Sequence, residues 1–100
     1  MIHTIDNIDD IKKYCFTIAY DKINAIKLEF QSSYMKQYFF STIKQYISDV
    51  IIINCDSSEE RLLSDLNQIS RYDTVIFDNF HLNHSKIKIN DFPCKKILMY

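Results

Sequence analysis

The side chains that could do chemistry in this chain gather at three places. Gln31-Ser32-Ser33 is followed by Lys36, Cys55-Asp56-Ser57 forms a second cluster, and Asp78-Asn79 leads to His81 and His84. A lysine in the first turn of a helix, behind a polar turn, is placed to hold a phosphate. An aspartate closing a buried strand can hold a divalent cation or accept a phosphoryl group. His81-x-x-His84 beside Asp78 has the ligand types of a metal site, with no second close pair to complete it. Each group also has a plainer role: Lys36 as a solvated surface charge, Asp78 as a turn cap, the histidines as part of a polar loop. Cys55 suits a small buried hydrophobe, and positions this scattered assemble no Ser-His-Asp or Cys-His pairing.

Not one of the 100 residues is glycine, where average usage gives about seven. Loops that wrap phosphates through their backbone need glycine for positive φ and close approach, so neither G-x-x-x-x-G-K-[ST] nor G-x-G-x-x-G is present. The G-x-S-x-G nucleophile turn is excluded in the same way. Hydrophobic residues make up 47%, charged residues 25%, and the formal net charge is −1. These values describe one globular domain spanning residues 1–100. The lysines do not cluster, which argues against direct binding of nucleic acid. Cys15, Cys55 and Cys94 are odd in number and far apart, as suits reduced thiols in the cytoplasm. Neither a signal peptide nor an apolar run long enough for a membrane span is visible. Seventeen isoleucines, and ten lysines against two arginines, suggest coding by an AT-rich genome.

Periodicity places the elements that must carry these groups. Ile8, Ile11, Cys15, Ile18 and Ala19 share one face of a helix over 6–20, capped by Asp6 or Asn7. Residues 23–30 alternate, with Ile26, Leu28 and Phe30 opposite Ala25, Lys27 and Glu29, which predicts a half-exposed strand at the sheet edge, open to pairing with another chain. Met35, Phe39, Ile43 and Ile47 form the stripe of a second helix, flanked by Tyr34, Tyr38 and Tyr46. Tyrosine suits interfaces, so these three are interface candidates, with packing on the sheet as the alternative. Val50-Ile51-Ile52-Ile53-Asn54 predicts a strand buried on both faces. Ser57-x-x-Glu60 has the form of a capping box for a helix over 58–70, with Leu62, Leu63, Leu66 and Ile69 inward. Strands follow at 73–78 and 96–100, separated by a polar segment with Pro93 near its end. The order predicts an α/β fold in three layers, a four-stranded, mainly parallel sheet flanked by about three helices. Its ligand edge would carry Lys36, Asp56, Asp78 and Asn79.

The strand, polar turn, Lys36 and helix of Ile26–Ile47, followed by Val50–Asn54, Glu59–Ile69 and Thr74–Asn79, resemble the nucleotide-binding core of P-loop ATPases of the AAA+ class, replication-initiator type, including its small regulatory relatives. Thr4-Ile5-Asp6-Asn7-Ile8 is similar to the segment preceding that core. The resemblance implies that Lys36 matches the phosphate-binding lysine and Asp78 the magnesium-associated acid. Asn79 stands where the acid that activates water is expected. Phe30 and Met35 occupy the glycine positions, Gln37 replaces the magnesium-binding hydroxyl residue, and no lid or arginine finger follows. The implied function is a non-catalytic regulatory or interaction module on a degenerate P-loop, without cofactor, binding a protein partner or a second copy of itself. Tyr72–Asp78 is also similar to receiver domains, which keeps open a phosphoacceptor or nucleotide-binding domain using Asp78 and Lys36. A small metal-dependent enzyme using Asp78, His81 and His84 is the third possibility.

Overall fold

The computed structural model describes residues 2–20, 25–83 and 85–100. Five parallel strands form one sheet, β1 (Ile2–Ile5), β2 (Ala25–Phe30), β3 (Val50–Asn54), β4 (Thr74–Asp78) and β5 (Lys95–Met99), in the order β1-β2-β5-β4-β3. Three α-helices flank it: α1 (Ile8–Tyr20), α2 (Ser33–Tyr46) and α3 (Glu59–Leu66). The α/β layering is as predicted, but the sheet has a fifth strand. β1 is only four residues long and includes His3 and Thr4, too short for alternation to stand out.

The sides taken by the helices follow from the strand order. The chain moves along the sheet in one direction from β1 to β2 to β3, then turns back to β4 and β5. Right-handed crossovers lie on one face for one direction and on the other face for the return. The cores agree. Ile11, Cys15 and Ile18 of α1 and Phe39 and Ile43 of α2 pack with Ile5, Ile26, Leu28, Ile76, Ile97 and Met99. Leu62 of α3, with Ile69, Phe80, Ile87 and Cys94, packs on the opposite face with Ile53, Val75, Phe77 and Leu98. Ile76 faces one core while its neighbours Val75 and Phe77 face the other, the two-residue period of a strand covered on both sides.

Two predicted strand positions are corrected. β2 is interior, paired with β1 through Ile2↔Lys27 to Ile5↔Phe30 and with β5 through Ala25↔Lys96 to Leu28↔Met99. Its alternation has another cause: α3 and the segment after β4 cover β3, β4 and β5 on their face, leaving Ala25 and Glu29 exposed there. β3 is an edge strand, paired only with β4, and Val50, Ile51 and Ile52 are half-buried. Residues 23 and 24 of the predicted strand lie outside the described residues.

The remaining differences are local. Asn7 caps α1, its Oδ1 accepting the Asp9 N–H at 3.0 Å, while Ile8 stays exposed. The capping residue of α3 is Ser58, not Ser57, with Oγ accepting the Arg61 N–H at 3.3 Å. α3 ends at Leu66 and continues as a 3₁₀ turn over Ile69–Arg71, so Leu62 and Ile69 are buried but Leu63 is 56% exposed. The polar segment between β4 and β5 holds 3₁₀ turns at Phe80–Leu82 and Ile89–Asp91.

Candidate functional site

The connection leaving β2 passes to one face of the sheet and that leaving β4 to the other. Such a parting of connections at the carboxyl ends of parallel strands makes a crevice where ligands bind. At this place the Gln31 N–H donates to the Ile5 carbonyl at 3.1 Å, so the turn after β2 is tied to β1. Ser32 then caps α2, its Oγ accepting the Met35 N–H at 3.2 Å and its carbonyl the Lys36 N–H at 3.2 Å. Capping fixes the first turn, and the first turn aims Lys36 across the strand ends.

Lys36 meets Asp78. The ammonium Nζ lies 2.7 Å from Asp78 Oδ1, with the side chains 27% and 15% exposed. Asp78 Oδ1 also accepts the Asn79 N–H at 2.9 Å. Asn79 has φ 54° and ψ 39°, the only positive φ among the described residues. Asparagine tolerates this left-handed region better than most residues, and here its side chain is used as well. Asn79 Nδ2 donates to Asn54 Oδ1 at 3.0 Å, and Asn54 Oδ1 accepts the Asp56 N–H at 3.0 Å. The Cys55 N–H donates to the Asp78 carbonyl at 2.9 Å, and Asn83 Nδ2 to the Cys55 carbonyl. The ends of β3 and β4 are thus joined by a network of hydrogen bonds between side chains and backbone.

Beneath it, the two positions expected to carry glycine are built into the core. Phe30 and Met35 are half-buried against the α1–α2 side, and the Phe30 ring lies 5.3 Å from that of Phe39. Gln37 is exposed, its carbonyl accepting the Ser41 hydroxyl at 3.2 Å. Family models, curated proteins and solved structures give no significant match to the chain.

The sequence candidates are therefore distributed as follows. Lys36, Asp78 and Asn79 come together, and Asp56 joins through its backbone while its side chain is exposed. His81 is exposed, and its ring is stacked on Tyr100 with centroids 6.5 Å apart. His84 lies outside the described residues. Among the described residues no group of three or more His, Cys, Asp or Glu is arranged to hold a metal. Tyr34 and Tyr46 are exposed, whereas Tyr38 packs against the core. Tyr34 and Tyr46 are about 18 Å apart along α2, from a rise of about 1.5 Å per residue, so they do not form one patch.

Cys15, Cys55 and Cys94 are free and buried. Burial pushes the Cys15 thiol up to about 12. Burial, helped by the charge of Asp78, pushes Cys55 up to about 11. Cys94 is raised too, chiefly by burial, with Lys96 acting in the opposite direction. Thiols held neutral are poor nucleophiles. Asn54 and Asn83 are the site residues that periodicity did not single out: Asn54 closes β3, and Asn83 follows the 3₁₀ turn at Phe80–Leu82.

Proposed function

We propose that the chain is a non-catalytic interaction module on a P-loop-like scaffold whose phosphate place is closed by its own side chains. The observation that carries this reading is the Lys36–Asp78 ion pair. The two residues that would take phosphate and magnesium take each other, and no glycine loop stands between them. A phosphate entering here would have to displace a carboxylate already bonded to Lys36, with no backbone cradle in return. Phe30 and Met35 support the same reading, since side chains packed on the core stand at the two positions where a cradle would need glycine.

Without a ligand loop, recognition falls to exposed rings and sheet edges. Phe16, Tyr20, Tyr34 and Tyr46 are large exposed apolar side chains, and both β1 and β3 are edge strands. Three buried free thiols suit a reducing compartment such as the cytoplasm. No helix among the described residues is long and apolar enough to cross a membrane.

The test is thermal unfolding with millimolar ATP and Mg²⁺. A ligand at 100 times its Kd adds about 2.7 kcal/mol of stability, which a domain of this size reports as a clear rise in midpoint. We expect no rise. A dose-dependent rise would overturn this reading in favour of a nucleotide-binding domain using Lys36 and Asp78.

A further inference from the structure

β3 is the less protected of the two sheet edges. Val50-Ile51-Ile52-Ile53 has none of the devices that usually guard an edge: no lysine, proline or bulge. The orientation of its backbone follows from two hydrogen bonds. The Asp49 carbonyl accepts the Thr74 N–H at 3.2 Å, and the Cys55 N–H donates to the Asp78 carbonyl at 2.9 Å. Odd-numbered residues of the strand therefore turn their backbone groups to β4, and Val50, Ile52 and the Asn54 N–H turn outward, while the Asn54 carbonyl accepts the Ser57 N–H at 3.1 Å and the Ser57 hydroxyl.

Beside this edge runs a depression of about 500 Å³, lined by Ile52, Asn54, Ser57, Ser58, Arg61 and Asp65. Arg61 and Asp65 are one turn apart on the side of α3 that faces the edge. They form an ion pair at 3.2 Å, with Arg61 72% exposed. A pair of opposite charges on one helix becomes self-complementary when a second, antiparallel copy of that helix lies beside it.

We propose that two copies of the chain join through β3, antiparallel about a two-fold axis at Ile52, so that the five strands of each form one continuous sheet. This rests on reading the chain as an interaction module, and it names the partner as a second copy. In this register each Ile52 N–H donates to the Ile52 carbonyl of the other copy, and each Asn54 N–H to the Val50 carbonyl. The axis is perpendicular to the sheet, so both α3 helices lie on the same face, with Arg61 of each across from Asp65 of the other. The formal net charge of −1 sets little repulsion against the association.

Sedimentation equilibrium of the full chain at tens of micromolar tests this, with circular dichroism to verify that each variant is folded. The wild type is expected to be a dimer. Ile52→Pro removes an outward donor that the β3–β4 ladder does not use and is expected to give a folded monomer. Arg61→Asp places like charges across the axis and is expected to weaken the dimer at least tenfold. The exchanged double variant Arg61→Asp with Asp65→Arg restores the complementarity and the dimer, a recovery that loss of folding cannot mimic. A monomeric wild type overturns the proposal, as does a dimer indifferent to Arg61→Asp. Neither result touches the reading of the closed phosphate place, which the ATP titration tests separately.

Discussion

The ammonium of Lys36 lies 2.7 Å from Asp78 Oδ1, although one residue opens α2 and the other closes β4. The pair ties the helix start to the strand end where the connections part. An ion pair at 27% and 15% exposure sits between the weak exposed case and the costly buried one.

A double-mutant cycle of Lys36→Met and Asp78→Asn is expected to give a coupling of about 1 kcal/mol in urea unfolding. The coupling should shrink between about 0.1 M and about 1 M salt, as the Debye length falls from about 10 Å to about 3 Å. Additive single effects would mean that the pair contributes nothing to stability.

Asn79 holds a left-handed backbone and spans to Asn54. Asn79→Ala loses the hydrogen bond and keeps a Cβ in the left-handed region without the polar side chain that lets asparagine tolerate it, which costs about 1 kcal/mol or more. Asn79→Gly loses the same hydrogen bond without that penalty. The glycine variant should therefore unfold at the higher temperature, by about 4–8 °C for each 1 kcal/mol in a domain of this size. Equal midpoints, or an alanine variant that outlasts the glycine variant, would contradict the left-handed assignment.

Alkaline pH should destabilise the fold through its thiols. Cys15 and Cys55 rise from an ordinary value of 9.0 to about 12 and about 11 on folding. Between those limits the unfolded chain gives up protons that the folded chain keeps, so stability is full below pH 9 and falls as pH rises. The slope approaches about 1.4 kcal/mol per pH unit for each thiol. Urea unfolding of Cys15→Ala and wild type, compared from about pH 8 to about pH 11, should show a shallower fall in the variant. The comparison isolates the thiol, since every other group is common to the two proteins. Parallel curves would refute the role of Cys15.

The helices are legible because their apolar side chains repeat with the helical period, and β4 and β5 because each is a short continuous apolar run. Phe39 and Ile43 read as the inward stripe of α2, and Val75, Ile76 and Phe77 as a strand covered on both faces; all are buried. α3 was overrun because Ile69 keeps the helical spacing from Leu66 after the backbone has passed into a 3₁₀ turn. Lys36 and Asp78 could each be singled out by type and position. That they bond to each other could not, since either one alone suits a solvated surface.

The sequence by itself determined which faces are covered. Alternation in β2 and its absence in β4 report apolar cover above and below the sheet, because side chains point there. Strand order was decided only by the tertiary structure, because neighbours within a sheet meet through backbone hydrogen bonds, and those are the same for every residue except proline. That is why β2, read as an edge, is interior, and β3, read as covered, is an edge. The same limit applies to the candidate site. Glycine's absence ruled out a phosphate loop, but only the placing of β4 two strands from β2 brought Asp78 within reach of Lys36.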